Sequence, residues 1–366
     1  MAPRYFIKTY GCQMNKYDSA KLEEILQDYG YLAADQIKDC DLILVNTCCV
    51  RQHAENRAFG FIASLKNLKM ANPNLIIGIC GCIPKQENVD LQSKFPFVDL
   101  VMGPNEPEKL KPYLNSPPLS VSLNKNKRGE SQGGSELVTI IHGCNNYCSY
   151  CIVPYVRGRE FSRPMDEVLS EIKGLVERGV TDITLLGQNV NSYRYGLANL
   201  LREIGRVFPH PQFIIHFMTS HPRDMSDEII ETVYELPYVA KEFHLPVQSG
   251  DDTILAKMNR GYTVGYYRGL IAKIRSLMPN ARITTDIIVG FPGETEEQFQ
   301  NTLNLVEEIR FNAVNMAAYS LRSQTLSAKM PGHLPEEVKQ DRLQRLIRVV
   351  KRIASEVKTE TLVCKS

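Results

Sequence analysis

The sequence predicts an α/β protein, with a small N-terminal parallel α/β domain followed by an open, partial (β/α)6 barrel. Three observations carry this prediction. Short apolar runs alternate with helix-like segments from residue 4 to about 112, and a second alternation runs from 137 to about 320. Between them lies 114–136, a stretch rich in Ser, Asn, Pro, Gly and charge, which has the composition of a linker. Six β/α units are too few for a closed eightfold barrel and suit an open one.

In the first alternation "YFIKTY", "DLILVN", "LIIGIC" and "FVDLVM" read as buried strands. "DSAKLEEILQDYG" reads as a helix capped by Asp18 or Ser19, and "HAENRAFGFIASLKNLKM" as one longer helix. Within the linker, "KNKR" reads as a solvated basic loop, with contact to a polyanion as the alternative. Six barrel strands follow: "LVTIIHGC", "DITLLGQ", "FIIHFMTS", "KEFHLPV", "RITTDIIVGF" and "AVNMAAYS". Helices are expected at 164–178, with Pro164 at its start, and at 294–309. The last segment is amphipathic. Leu343, Leu346, Val350 and Ile353 share one side, and Arg345, Arg348 and Arg352 line another. It reads as a closing helix with a solvated face, with RNA contact as the alternative. The expected domains are therefore 1–113, a linker at 114–136, a partial barrel at 137–334 and a basic amphipathic helix at 335–366.

The 366 residues suffice for two or three domains. A formal charge of +2, from 43 basic and 41 acidic residues, neither demands nor excludes a nucleic-acid partner. "MAPRYFIKTYGC" resembles neither a secretory signal nor a transit peptide, and no window reaches the ~20 apolar residues of a membrane span. A cytoplasmic protein without membrane association is expected. In a reducing compartment its ten cysteines are metal ligands or catalytic groups sooner than disulfides.

"HGCNNYCSYC" places Cys144, Cys148 and Cys151 in the spacing C-x-x-x-C-x-x-C directly after the first barrel strand. Three thiolates on one short loop can hold three irons of a four-iron cubane, leaving the fourth iron open to an exogenous chelating molecule. This spacing, with Tyr150 just before the third cysteine, is the signature of radical S-adenosylmethionine (SAM) enzymes. A structural zinc knuckle is the alternative, but no fourth Cys or His follows at zinc-like spacing, and His142 is the only local candidate. Cys12, Cys48 and Cys82 each end an N-terminal strand, so they converge where parallel sheets bind ligands and form a second three-cysteine set. Cys40 and Cys80 read as small buried hydrophobes, the usual role of a free cysteine.

Taken together, "TYGCQMN", "NTCCVRQHAENR", "CGC", "GCNNYCSYCIVPYVRGREFSRP", "LLGQNVNSY", "HLPVQSG" and "DIIVGFPGET" resemble the radical-SAM methylthiotransferase family. The "LLGQNVNSY" stretch is similar to its MiaB-type, tRNA-modifying branch. The branch acting on a ribosomal-protein aspartate usually has Gln-Asp where this chain has Gln188-Asn189. The resemblance implies two [4Fe-4S] clusters and SAM. The cluster on Cys144, Cys148 and Cys151 would bind SAM and reduce it to a 5′-deoxyadenosyl radical. That radical removes hydrogen from C2 of N6-isopentenyladenosine at position 37 of tRNA, beside the anticodon. The cluster on Cys12, Cys48 and Cys82 would carry the sulfur, which a separate SAM methylates. Implied partners are the tRNA anticodon stem-loop and an electron donor such as flavodoxin or ferredoxin, with the protein itself a monomer.

Further cofactor-binding candidates rest on position. Tyr150 would pack near the SAM adenine, with core packing as the alternative. Gln188 and Gln248 follow barrel strands, where such folds present polar groups. Gly290 would admit close backbone approach, although a tight turn also needs glycine. Arg157 and Arg163 would pair with a carboxylate or phosphate, with surface placement as the alternative. His244 reads as a packed polar residue. Within "NTCC", Cys48 reads as the ligand and Cys49 as a bystander.

Two departures from the family carry expectations. Arg322-Ser323-Gln324-Thr325 stands where relatives have Arg-Pro-Gly-Thr, which predicts a looser loop. A C-terminal TRAM β-barrel is expected to be absent, which weakens phosphate contact. Two other readings stay open: a methylthiotransferase acting on a ribosomal-protein aspartate, and a non-catalytic zinc-containing RNA-binding module.

Overall fold

A computed structural model describes residues 2–50, 52–114 and 134–363, with side chains as far as 356. Most of the expected linker, including "KNKR", lies outside the described residues. The N-terminal part is a five-stranded parallel sheet made of β1 (Arg4–Thr9), β2 (Leu32–Ala33), β3 (Leu42–Thr47), β4 (Ile76–Gly81) and β5 (Leu100–Val101), in the order β2-β1-β3-β4-β5. β3 is buried along its whole length, so it reads as a continuous apolar run rather than an alternation. Apolar clusters cover both faces, one around Ile43, Val45, Ile62 and Ile79, the other around Leu26, Leu42, Leu44 and Leu100.

Two helices differ from expectation. The first spans Gln13–Asp28 and takes Cys12, not Asp18 or Ser19, as its N-cap. Met14 and Tyr17 are buried against Leu186 of the barrel, so tertiary packing adds a turn that local capping signals do not suggest. The expected single helix is two, Gln52–Ser64 and Lys66–Ala71. At the break the Leu65 amide bonds the carbonyl three residues back, on Ile62, which tightens the turn.

The second part begins with β6 (Ser135–Thr139) and β7 (Ile141–His142), the expected first strand broken at Ile140. β7 leaves the barrel and pairs antiparallel with β8 (Phe161–Ser162). The barrel continues through β9 (Asp182–Leu186), β10 (Ile214–Phe217), β11 (Glu242–His244), β12 (Arg282–Val289) and β13 (Ala313–Ala318). All neighbours are parallel, and a bridge between Ile215 and Val239 joins the two three-stranded sheets. The resulting order is β6-β9-β10-β11-β12-β13, the open six-strand barrel the sequence predicts.

The helix Glu336–Val363 packs Leu343, Leu346, Val350 and Ile353 onto the barrel core, as its amphipathic pattern requires. Three of its four arginines are held by the barrel, and Arg348 is exposed. Arg345 pairs with Glu296, Arg352 with Glu307, and buried Arg342 with buried Glu294 at 2.7 Å. That is the closing-helix reading.

Candidate active site and metal centres

At the carboxyl end of the N-terminal sheet three chain segments are tied together by two fully or nearly fully buried asparagines. Asn15 donates to Asn46 Oδ1 and to the Thr47 carbonyl, both at 3.0 Å, while its own Oδ1 receives Cys12 Sγ at 3.3 Å. Asn46 donates back to the Asn15 carbonyl at 2.8 Å and to Ser19 Oγ at 2.9 Å. The Cys82 amide bonds the Thr47 carbonyl at 2.8 Å. These bonds hold the segments that carry Cys12, Cys48 and Cys82 together at the carboxyl end of the sheet. At Gly11 an added Cβ would stand 2.7 Å from Cys48 Cβ, so only glycine, here at φ +143°, lets the Cys12 loop come this close.

Cys49 is also part of this group. Its thiol lies beside that of Cys82, and this neighbour, with Arg157 also contributing, pulls the Cys82 thiol down against the effect of burial. The bystander reading of Cys49 is therefore incomplete, because its side chain contacts a candidate ligand. Serine keeps a hydroxyl for that contact. Cys49→Ser is expected to retain the N-terminal cluster and Cys48→Ser to lose it, read as iron and sulfide per chain after anaerobic reconstitution. Cys40 and Cys80 are buried, as expected for small apolar residues.

The second triad lies on the loop after β7. Cys144 and Cys148 are buried, Cys151 is partly exposed, and burial pushes the thiols of Cys144 and Cys151 up to about 11 and 12. Arg260 stands beside them. Its guanidinium is 4% exposed and donates to Cys148 Sγ at 3.3 Å, to the Tyr150 hydroxyl at 3.5 Å and to the Pro246 carbonyl at 2.7 Å. No sequence signal singled out Arg260, because Cys148 and Tyr150 lie more than a hundred residues away. A cation there favours thiolate.

Polar atoms without partners lie at the carboxyl ends of the barrel strands. Gln188 Oε1, Gln248 Oε1 and Ser220 Oγ are buried at the carboxyl ends of β9, β11 and β10, and none has a hydrogen-bond partner. Buried polar groups are nearly always satisfied, so their grouping marks a place shaped for a polar ligand. Gln248 is held in a left-handed conformation, φ +73°, by backbone bonds to Asp286 and Ile288. Among the described residues no three Cys, His, Asp or Glu side chains close around a single-ion position. A four-iron cubane takes each thiolate on a different iron and therefore asks for wider spacing than ligands of one ion.

Other candidates fall elsewhere. Tyr150 packs among Ile254, Met258, Phe291 and Tyr319, the core alternative. Gly290 has φ +74° and donates to Glu294 Oε2, and a Cβ there would stand 2.5 Å from Lys339 Cγ, so its role is the tight turn under the last helix. Arg157 and Arg163 are not surface residues. Both pair with carboxylates of the chain itself, Arg157 with Asp18 at 2.8 Å and Arg163 with Glu171 at 2.6 Å. Asn189 donates to Asp224 at 2.7 Å and accepts from the His221 amide, so an aspartate in its place would oppose the Asp224 carboxylate. His244 is held by Thr284 and Asp286, a packed polar residue.

The Arg322 loop is not loose. Its Thr325 bonds the Arg322 carbonyl through both amide and hydroxyl, and the Arg322 guanidinium reaches Glu55, Gln52 and the Val50 carbonyl. Side-chain anchoring replaces what proline and glycine would supply.

Burial depresses two imidazoles, His221 to about 2 and His142 to about 4, with nearby arginines adding to both. Both stay neutral in the folded chain and protonate near 6.5 on unfolding. Stability is therefore flat above that value and falls as pH drops through it, by about 1.4 kcal/mol per pH unit for each. The urea midpoint should fall between neutral pH and about pH 5, less steeply in His221→Gln.

An open six-strand barrel with three cysteines on the loop after its first barrel strands, joined to a parallel sheet carrying three more, defines a radical SAM protein with an added cysteine-bearing domain. Residues 138–306 match the Radical SAM superfamily, and residues 4–103 match the uncharacterized protein family UPF0004. The chain is 44% identical to the tRNA-2-methylthio-N(6)-dimethylallyladenosine synthase of Thermoanaerobacter pseudethanolicus, over 97% of this chain and 79% of that protein. It is 45% identical to the protein of the same name from Caldicellulosiruptor saccharolyticus, over 96% and 78%. The chain belongs to the family of radical-SAM tRNA methylthiotransferases that these synthases represent. In fold it is similar to the radical S-adenosylmethionine methyltransferase TsrM from Kitasatospora setae, with a TM-score of 0.67 at 16% identity over 90% of this chain and 77% of that one. The cobalamin-dependent radical enzyme OxsB matches at a TM-score of 0.57 and 12% identity, over 96% and 56%. No helix among the described residues is long and apolar enough to cross a membrane.

Proposed function

We propose that this protein converts N6-isopentenyladenosine beside the tRNA anticodon to its 2-methylthio derivative, adding sulfur and a methyl group at C2. The observation that carries this reading is the 44% identity, over nearly the whole chain, to a tRNA-2-methylthio-N(6)-dimethylallyladenosine synthase. Cys144, Cys148 and Cys151 would hold one [4Fe-4S] cluster, and Cys12, Cys48 and Cys82 a second. A C2–H bond is inert to acid–base chemistry, and these groups when bound supply the electron for reductive SAM cleavage and a place for the sulfur.

The chain's own residues bind, orient and exclude water. Arg260 holds the Cys148 sulfur and the Tyr150 hydroxyl in place, and its buried charge offsets that of the thiolates. The free carbonyl oxygens of Gln188 and Gln248 and the Ser220 hydroxyl suit an ammonium or a ribose hydroxyl of SAM. Asn15 and Asn46 keep the Cys12 and Cys48 segments in register. Residues 1–113 would form the sulfur-carrying domain, 137–334 the radical-generating barrel and 335–366 the closing helix. A flavodoxin- or ferredoxin-type donor would reduce a monomeric enzyme.

The test is anaerobic reconstitution with iron and sulfide, then reaction with SAM, reductant and isopentenylated tRNA. The 2-methylthio nucleoside and 5′-deoxyadenosine are expected by mass spectrometry. Unchanged tRNA in deletion cells, with a ribosomal-protein aspartate losing its modification, would overturn the choice of substrate.

A further inference from the structure

The arginines on the outside of the barrel are mostly ion-paired: Arg202 with Glu228, Arg268 with Glu308, Arg352 with Glu307. One strip differs. It starts at the Cys144–Cys151 loop, where Tyr147 and Tyr155 stand edge to face with ring centroids 6.2 Å apart, 39% and 37% exposed. It continues through exposed Arg159 to Phe161, 61% exposed, and then to Arg194 and Tyr195, the tyrosine 42% exposed. Among the described residues, neither Arg159 nor Arg194 has an ion-pair or side-chain hydrogen-bond partner.

Backbone and polar contacts make these residues one surface. The Cys144 amide bonds the Gly158 carbonyl at 3.2 Å, and the Glu160 amide bonds Asn145 Oδ1 at 3.1 Å. The Arg194 amide bonds Ser162 Oγ at 3.1 Å, and Ser192 Oγ bonds Glu160. At its cysteine end Asn259 holds the Tyr147 carbonyl at 3.1 Å. The strip is thus built on the loop that carries Cys144 and Cys148, and on β8, which pairs with β7 just before that loop.

We propose that this strip binds single-stranded nucleotides of the tRNA anticodon loop on either side of the modified adenosine. Unpaired bases are recognised by stacking on aromatic faces, and their phosphates by free arginines. Here exposed rings and unpartnered guanidiniums alternate beside the loop that would hold the radical-generating cluster. An acidic protein partner would be met by clustered cations, not by two lone arginines among four exposed rings. This assignment rests on the tRNA reading above, and names the surface that carries the substrate loop to the site.

Anisotropy with a labelled isopentenylated anticodon stem-loop, using cluster-loaded full-length protein, tests it. Phe161→Ala and Tyr195→Ala should each weaken binding about tenfold. Arg159→Ala with Arg194→Ala should flatten the dependence of affinity on salt by about 1.4 in log–log slope. Tyr234→Ala, an equally exposed tyrosine on the outer helix Asp227–Glu235, is the matched control and should bind like the parent. Parent-like affinity and slope in the strip variants, with a tightly binding parent, would overturn the strip and leave the tRNA reading standing. No binding by the parent would sink both. Parent-like RNA binding with slowed reduction by a flavodoxin would reassign the strip to the electron donor.

Discussion

Cys148→Ala is expected to abolish SAM cleavage, and Cys12→Ala to abolish sulfur insertion while leaving part of the cleavage. The asymmetry follows from where the two cysteines lie. Cys148 is the middle member of the barrel triad and the one whose sulfur receives the Arg260 guanidinium at 3.3 Å. Its loss removes a ligand from the centre that would bind SAM and leaves a buried arginine without its sulfur partner, itself a cost of about 1–3 kcal/mol. Cys12 belongs to the other sheet. It is bound to Asn15, which is locked to Asn46 and Thr47, so its removal disturbs the sulfur-carrying centre and not the barrel loop. Production of 5′-deoxyadenosine, followed beside the 2-methylthio nucleoside, separates the two. Equal loss of cleavage in both variants would refute the division of labour. Cys148→Ala should also lower iron content by about half while Cys12→Ala leaves the barrel cluster's spectrum in place.

The second large effect is expected at the seam between sheet domain and barrel. Arg322, from the loop after β13, and Glu55, from the helix Gln52–Ser64, are 7% and 8% exposed and 2.9 Å apart. Arg322 also holds the Val50 carbonyl, two residues from Cys48. A buried pair is a weak source of net stability, but removing one partner strands the other charge, at about 3–5 kcal/mol. Arg322→Ala should therefore lower the denaturant midpoint strongly. Arg322→Met with Glu55→Leu should cost much less than the two single changes summed, because neither charge remains. Additive losses would show that the pair is not coupled. The Arg157–Asp18 pair, also buried and also crossing the seam, predicts the same pattern. Arg157 additionally touches Cys82, so its loss should reach the N-terminal centre as well.

Much of the site was legible in the sequence because ligand spacing is local. Cys144, Cys148 and Cys151 need only one loop, and strand-terminal Cys12, Cys48 and Cys82 follow from apolar runs that end where parallel strands present ligands. The contacts of the other candidates were not legible, because their partners lie outside the motifs: Gly290 lies under Lys339, Tyr150 packs on Phe291, and Arg157 and Arg163 pair with Asp18 and Glu171. The expected looseness at Arg322 failed for the same reason, since Ser323 and Gln324 are not what holds that loop.

By itself, then, the sequence determined the two-part α/β architecture and the open six-strand barrel, and it singled out both cysteine triads as candidates. These depend on hydrophobic period and on spacing within a few residues, which one-dimensional order preserves. Only the tertiary structure decided that Arg260 stands on Cys148, that Asn15 and Asn46 join two cysteine loops, and that Arg322 finds Glu55. A charged or amide side chain looks the same in sequence whether it faces water or a partner hundreds of residues away. The fold removes the water, and with it every arrangement that leaves such a group unpaired.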